Sequence, residues 1–130
     1  MTTENVFAWI KTLPTKADNY YCGMLNAKKE KSFGVYQLKE NRARAIAIGS
    51  ETKTGVKGIS ILVHWTTSTR ETENIAAELY KNLAEATDIR VGDKKINYIQ
   101  LLHDEPIDVG TDENGVCERV IEFVIYYERS

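Results

Sequence analysis

The chain has 130 residues, of which 42% are hydrophobic and 28% are charged, and its formal net charge is −2. This length predicts a single domain over 1–130 with enough apolar residues for a core, and the composition excludes disordered and collagen-like chains. The longest apolar run, residues 59–63, is too short to cross a bilayer. The N-terminus lacks the features of a secretory signal peptide, so we expect synthesis in the cytoplasm. Cys22 and Cys117 are expected to pack as small hydrophobic side chains rather than form a disulfide.

The first third of the chain predicts one helix followed by strands. Apolar residues at helical spacing predict a first helix that Thr2 or Thr3 caps and Pro14 ends; they are Val6, Trp9, Ile10 and Leu13. Strands are predicted over 19–26 and 33–38, joined as a hairpin by the basic loop between them. A further strand is predicted over 43–48, and the composition of residues 49–58 indicates a flexible loop.

The middle of the chain predicts a central strand and a second helix. Residues 59–65 alternate around apolar positions, and His64 is expected to be a half-buried, hydrogen-bonded imidazole. Ser68 and Glu71 have the spacing of a capping box, so the hydroxyl and the carboxylate should each accept a backbone N–H. The apolar stripe that follows continues to Leu83 and needs a sheet to pack on.

The last third predicts strands only. A strand over 96–102 follows the turn-like segment GDKK, and a long alternating strand covers 116–127. Asn114 and Gly115 predict a hairpin turn that pairs this strand with residues 106–109. Together, the elements predict an α+β fold with a mainly antiparallel β-sheet and two α-helices packed on one face.

Charge is distributed unevenly along the chain. Residues 27–57 carry eight basic and three acidic side chains, whereas residues 101–130 carry eight acidic and two basic ones. The two segments could form two solvated faces. Alternatively, the positive face of one copy could meet the negative face of another copy.

The sequence contains no pattern typical of a catalytic, cofactor or metal site. The two histidines and two cysteines lack the paired spacing of zinc ligands. The segment GTDENG resembles a calcium loop, but Gly110 and Ile121 occupy positions that need a carboxylate, which favours a turn. Nucleophile motifs and phosphate-binding loops are missing, and the carboxylates of 104–113 lack an apolar pocket that would separate their pKa values.

Nucleic acid and membranes are not expected as partners. The basic loops at 28–31 and 53–57 could contact phosphate groups. However, the aromatic motif of RNA-binding sheets is missing, and the chain is acidic overall, with a pI of about 5.7. We therefore expect no sequence-specific nucleic-acid recognition.

Two segments carry a family resemblance. Residues 58–83 (GISILVHWTTSTRETENIAAELYKNL) and 96–129 (INYIQLLHDEPIDVGTDENGVCERVIEFVIYYER) resemble bacteriophage minor capsid proteins of Gram-positive hosts. These proteins are similar to the tail terminators, or tail completion proteins, of long-tailed phages. The matching features are the strand that ends at Trp65, the helix over 71–83, the segment over 105–110, and the closing strand with Glu122, Phe123, Tyr126 and Tyr127. The resemblance spans roughly 20–129.

The resemblance implies a structural virion protein with no catalytic residues, assembled in the host cytoplasm. Such a protein is a small α+β subunit of a ring, usually of six copies, at the head-proximal end of the tail tube. The ring stops tube polymerisation and offers a surface to the head connector. The implied partners are therefore other copies of the chain, the tail tube protein and the head–tail connector protein.

A cyclic ring needs two different patches on each copy, because every contact is head-to-tail. We therefore predict that loops 27–32 and 49–58 approach residues 104–113 of the neighbouring copy. The residues predicted for this subunit interface are Lys28, Lys29, Lys31, Lys53 and Lys57, together with Asp104, Glu105, Asp108, Asp112 and Glu113. The loops could instead face the tube, the connector or solvent.

Other interpretations remain open on the sequence. The protein could be another neck or head–tail joining component, or a tail tube subunit that forms open-ended cylinders. It could also be a small ligand-binding or enzymatic α+β domain, which would need a preformed apolar pocket with convergent polar groups.

Overall fold

The structure, a computed structural model, describes residues 1–24, 29–38 and 54–128, which form two helices and seven strands. The helices are α1 (Thr3–Ile10) and α2 (Thr69–Ala84). The strands are β1 (Asn19–Cys22), β2 (Ser32–Gln37), β3 (Thr54–His64), β4 (Arg90–Val91), β5 (Lys94–Leu101), β6 (Ile107–Thr111) and β7 (Cys117–Glu128). This confirms the α+β class in its broad form, as a mainly β structure with two helices and a sheet curled into a half-barrel. The strand predicted over 43–48 lies outside the described residues.

All seven strands belong to one sheet, in the order β1-β2-β3-β7-β5-β4 with β6 also paired to β7. The long antiparallel ladder of β3 and β7, from Thr54↔Glu128 to His64↔Glu118, forms its centre. Because β3 occupies one edge of β7 throughout, β5 and β6 share the other edge. The predicted hairpin through Asn114 and Gly115 is confirmed and joins β6 to β7.

The predicted hairpin between the first two strands is wrong, because β1 and β2 are parallel. The backbone N–H groups of Asp18 and Asn19 both donate to the carbonyl of Lys31, so the start of β1 lies beside the start of β2. Nine residues separate the two strands, and β1 is only four residues long. A connection of nine residues is long enough to run back along the roughly 13 Å of β1. The chain can therefore enter β2 in the direction parallel to β1.

The predicted caps are present, with one difference. Thr2 caps α1, which ends at Ile10. At α2, the hydroxyl of Ser68 accepts the N–H of Glu71, as predicted. The carboxylate of Glu71 does not return this bond; it accepts the hydroxyl of Thr66 at 2.9 Å, and the backbone N–H of Ser68 donates to the same hydroxyl oxygen. The bond expected from the Ser68 N–H to the Glu71 carboxylate is therefore missing. Thr66, two residues before the cap, bonds to both residues instead.

Two segments predicted as turns or loops are partly strands. Residues 54–58 belong to β3, and Gly55 is required there because a Cβ atom would lie 2.3 Å from the ring of Tyr127. In the segment GDKK, only Gly92 and Asp93 form the turn between β4 and β5, and Lys94 already belongs to β5. Strand β4 was not predicted. Glycine and lysine weakened the strand pattern at these positions, although packing and pairing favour strands.

The main core cluster joins both helices to alternate residues of the sheet. Val6 and Ile10 of α1 and Leu79 and Leu83 of α2 are fully buried in it. The sheet contributes Phe33 and Val35 from β2, Ile59, Ile61 and Val63 from β3, and Ile121, Phe123 and Ile125 from β7. Each large apolar side chain buried in this way stabilises the fold by about 2 kcal/mol. Within the described ranges, no helix has the length and apolarity to cross a bilayer.

Candidate subunit interface

Strands β1 and β6 lie at opposite edges of the same half of the sheet. Pairing can be followed residue by residue from one edge to the other, through β2, β3 and β7. The three rows that this gives are Asn19–Ser32–His64–Glu118–Gly110, Tyr20–Phe33–Val63–Arg119–Asp108 and Tyr21–Gly34–Leu62–Val120–Ile107. Four strand spacings, about 19 Å, separate the two edges.

The structure brings the predicted acidic residues together along the β6 edge. Asp108 lies in β6, Asp104 and Glu105 come directly before it, and Asp112 and Glu113 follow it. All are exposed except Asp112, which is half-buried. We call this segment, residues 104–113, the acidic edge.

Within the acidic edge, Asp112 has a local structural role. Its Oδ1 atom accepts the backbone N–H groups of Asn114 and Val116, at 2.8 and 3.0 Å, and so closes the turn before β7. Its Oδ2 atom is buried, 3.8 Å from Nε2 of His64. These contacts agree with the turn expected from the sequence, and they leave Asp112 less available to a neighbouring copy than the exposed carboxylates.

Arg119 is the one charged residue on the otherwise apolar face of β7. Its guanidinium is mostly buried and lies 3.5 Å from Glu73 of α2 and 3.6 Å from Asp108 of β6. Both carboxylates are more than half exposed, so these ion pairs contribute little to the free energy of unfolding. Their effect is to place an acidic side chain at the outer edge of β6.

The predicted basic interface residues that the structure describes lie at two ends of the sheet. Lys29 and Lys31 are exposed and precede β2, next to the start of β1. The backbone of Lys31 has φ 54°, and its N–H donates to the carbonyl of Trp65 at 2.8 Å, which fixes this loop to the end of β3. We call residues 29–31 the basic corner. Lys28 lies outside the described residues.

Lys57 is separated from the basic corner. It belongs to β3, not to a loop, and its ammonium group donates to Oε1 of Gln37 at 3.0 Å. Lys57 is seven positions along β3 from His64, the β3 residue nearest the basic corner, which is about 24 Å. Lys53 lies outside the described residues. Of the lysines predicted for the interface, the three that the structure describes therefore lie at two separate places within one copy.

Comparison with known protein families gives the assignment. A family model described as bacteriophage tail terminator protein matches residues 1–129. The chain belongs to the bacteriophage tail terminator family. The match confirms the resemblance found in the sequence and extends it over the first helix. The protein is therefore a structural component of the phage tail, in a family that is structural rather than enzymatic. Among curated proteins, none matches the chain with significant similarity.

The sheet of this tail terminator family member also carries two histidine–carboxylate pairs that the sequence analysis did not predict. Nδ1 of His64 lies 2.8 Å from Glu118, and Nε2 of His103 lies 2.9 Å from Glu122. His64 is completely buried, which corrects the expectation that it is half-buried. Since His64 and Glu118 are direct partners in the β3–β7 ladder, correct register alone would have revealed the pair.

A pair of tyrosines lies at the other end of the same sheet. The rings of Tyr98 and Tyr126 stack with centroids 4.4 Å apart, and the hydroxyl of Tyr126 donates to Gln100 at 2.7 Å. Burial, with Tyr98 close by, raises the pKa of Tyr126 above its ordinary value. Tyr98 is 56% exposed, which makes it one of the large apolar side chains that reach solvent.

The described residues do not form a metal centre. None of their His, Cys, Asp and Glu side chains form a group of three placed to hold a metal ion. A groove of about 520 Å³ runs between the end of α2 and β5 and is lined by residues such as Leu83, Asp88 and Tyr98.

Proposed function

We propose that the protein is the subunit of a ring that closes the head-proximal end of the phage tail tube. The ring stops tube polymerisation and joins the tail to the head connector. Family membership supports a tail role, and the observation that carries the ring is the placement of the acidic edge and the basic corner on opposite edges of one sheet. Six copies are the number that the sequence resemblance implies.

The charge arrangement suits a head-to-tail contact. A cyclic ring repeats one heterologous interface, in which a patch of one copy meets a different patch of the next. Four exposed carboxylates of the acidic edge and the exposed Lys29 and Lys31 provide two such patches of opposite sign. Opposite charges mainly steer the encounter and fix the register between copies, while packing supplies the affinity.

We also propose that α1 and α2 cover the same face of the sheet. Buried residues of both helices pack in one cluster with alternate residues of β2, β3 and β7, which supports this arrangement. The backbone groups at the edges of β1 and β6 point along the plane of the sheet and not toward its faces. Copies can approach each other edge to edge without displacing a helix.

Tube capping by the purified protein tests the proposal. Tail tube protein of the same phage is polymerised with and without the protein, and tube lengths and ends are measured by electron microscopy. We expect shorter tubes with one ring at one end. Long cylinders built from the protein itself would instead identify a tube subunit, and tubes of unchanged length without a bound ring would contradict the proposed function.

A further inference from the structure

We propose that β1 of one copy pairs with β6 of the next copy, so that the sheets of neighbouring copies continue into one another around the ring. The inference rests on the proposed function and specifies its subunit interface as backbone pairing between strands. The partner is a second copy of the same chain.

The row positions of the two strands fit this pairing. Residues 19–21 of β1 lie in the same three rows as Gly110, Asp108 and Ile107 of β6. Consider a neighbouring copy that is related by rotation about an axis parallel to the strands. Its β1 then lies at the same position along that axis as β6 of the first copy. The contact closes without a shift along the axis, as a ring requires.

Strand direction fits as well. β1 runs parallel to β2, and β2 and β7 are each antiparallel to β3, so β1 and β7 run in the same direction. β6 is antiparallel to β7 and hence to β1. Rotation about an axis along the strands keeps these directions, so β1 and the neighbour's β6 meet in the antiparallel arrangement, which pairs slightly more stably than the parallel one.

Both outer edges have backbone groups available within the described part of the chain. The N–H groups of Asn19 and Gly23 donate inward to β2. Because inward and outward groups alternate along a parallel ladder, Tyr20 and Cys22 direct their N–H and C=O groups outward. On the other edge, β6 pairs with β7 alone among the described strands, and Val109 at its bulge is 48% exposed.

The basic corner and part of the acidic edge lie at similar positions along the strand direction. The basic corner lies beside Asn19, because the carbonyl of Lys31 accepts the N–H of Asn19. In the row of Asn19, the far edge holds Gly110, and Glu113 follows three residues later. In the ring, Lys29 and Lys31 of one copy therefore face the end of the neighbour's acidic edge.

The other half of the same sheet edge provides a matched control. β5 lies opposite residues 123–127 of β7, whereas β1 lies in the rows of residues 118–121. To reach β5, a neighbour must shift by about 18 Å along the strands. Such a contact repeats as an open helix instead of a closed ring. Tyr98 of β5, as exposed as Val109, marks this half of the edge.

Thiol cross-linking distinguishes the two edges. In a Cys22→Ser background, Tyr21→Cys is combined either with Val109→Cys or with Tyr98→Cys, and a short bifunctional thiol reagent is added to rings and to capped tubes. Cys117 is buried and stays in both variants. Single-cysteine variants give the background, circular dichroism checks folding, and Thr111→Cys replaces Val109→Cys if the latter misfolds.

We expect Tyr21→Cys with Val109→Cys to give a ladder of covalent multimers up to the full ring. It should give on the order of tenfold more product than Tyr21→Cys with Tyr98→Cys, because two thiols that the interface holds close together have a high effective concentration. Equal or greater cross-linking through Tyr98→Cys overturns the proposed pairing. Capped tubes and closed rings that do not cross-link through either β6 cysteine also overturn it, but leave the proposed function standing. A chain that stays single even on tubes overturns both.

Discussion

The core between the helices and the sheet differs from the outer edges of the sheet in what holds it together. The core is apolar and buried, and it includes Leu79 of α2 and Phe123 of β7. The charged side chains of the acidic edge and of the basic corner are exposed, apart from the half-buried Asp112. The residues that stabilise the fold are therefore distinct from those proposed to bind the neighbouring copy, so substitutions should affect stability or assembly separately.

The largest effect on stability should come from the core. Phe123→Ala leaves a cavity in the core cluster and should lower the free energy of unfolding by about 3–5 kcal/mol. Urea denaturation followed by circular dichroism measures this loss. Val109→Ala on the exposed β6 edge is the control and should change stability by less than about 0.5 kcal/mol. Similar losses in the two variants would contradict the separation.

Gly55→Ala should have the next largest effect. Its Cβ atom would lie 2.3 Å from the ring of Tyr127, so the ring or the strand must move, at a cost of about 1–3 kcal/mol. At Gly58, by contrast, the nearest atom to an added Cβ is 3.1 Å away, in the side chain of Leu38. Gly58→Ala should therefore cost less than Gly55→Ala in the same denaturation measurement, and the reverse order would show that the strand packs differently there.

A smaller loss is expected at the start of α2. Ser68→Ala removes the acceptor for the N–H of Glu71 and should cost about 1 kcal/mol. Ser68→Asp keeps an acceptor at the cap and should restore most of the stability. A loss equal to that of alanine in the aspartate variant would argue against the cap as the cause.

The smallest effect on stability, but a selective effect on assembly, should follow charge reversal at the basic corner. Lys29→Glu with Lys31→Glu should leave the unfolding midpoint nearly unchanged, because both side chains are exposed. Each lost charge contact should weaken association between copies by a factor of about two to five, and more at low salt. Analytical ultracentrifugation at two salt concentrations measures this.

Lys57→Glu is the comparison for that variant. Lys57 lies at the other end of β3 and contacts Gln37, far from the row of the basic corner. If the interface is concentrated at the basic corner, this substitution should weaken association less than the double reversal. An equal effect would indicate an interface along the whole length of the sheet.

Much of the fold could be predicted from the sequence, because it depends on local patterns. The caps at Thr2 and Ser68, the alternation in β3 and β7, and the turn at Asn114 and Gly115 all act over a few residues. The parallel pairing of β1 and β2 was missed because it depends on contacts of the Lys31 carbonyl with residues 18 and 19, which no periodicity encodes. Gly55 was taken as a loop signal, although it is a close contact with Tyr127.

For the same reason, the sequence predicted the acidic part of the candidate interface better than the basic part. The acidic residues stayed together because they are consecutive around β6. The basic residues were grouped by their position in the sequence, but β3 runs the length of the sheet and separates Lys57 from Lys31. The shared rows of β1 and β6 depend on the register of four strand pairs, and this information is not present in the composition or spacing of any one segment.

Electron cryomicroscopy of capped tail tubes would show which strands of neighbouring copies meet in the ring. The account predicts a single closed ring at one tube end, in which β1 of each copy lies beside β6 of the next copy with Lys29 and Lys31 facing the neighbour's acidic edge. A ring whose copies meet through other surfaces, with β1 and β6 both facing solvent, would contradict it.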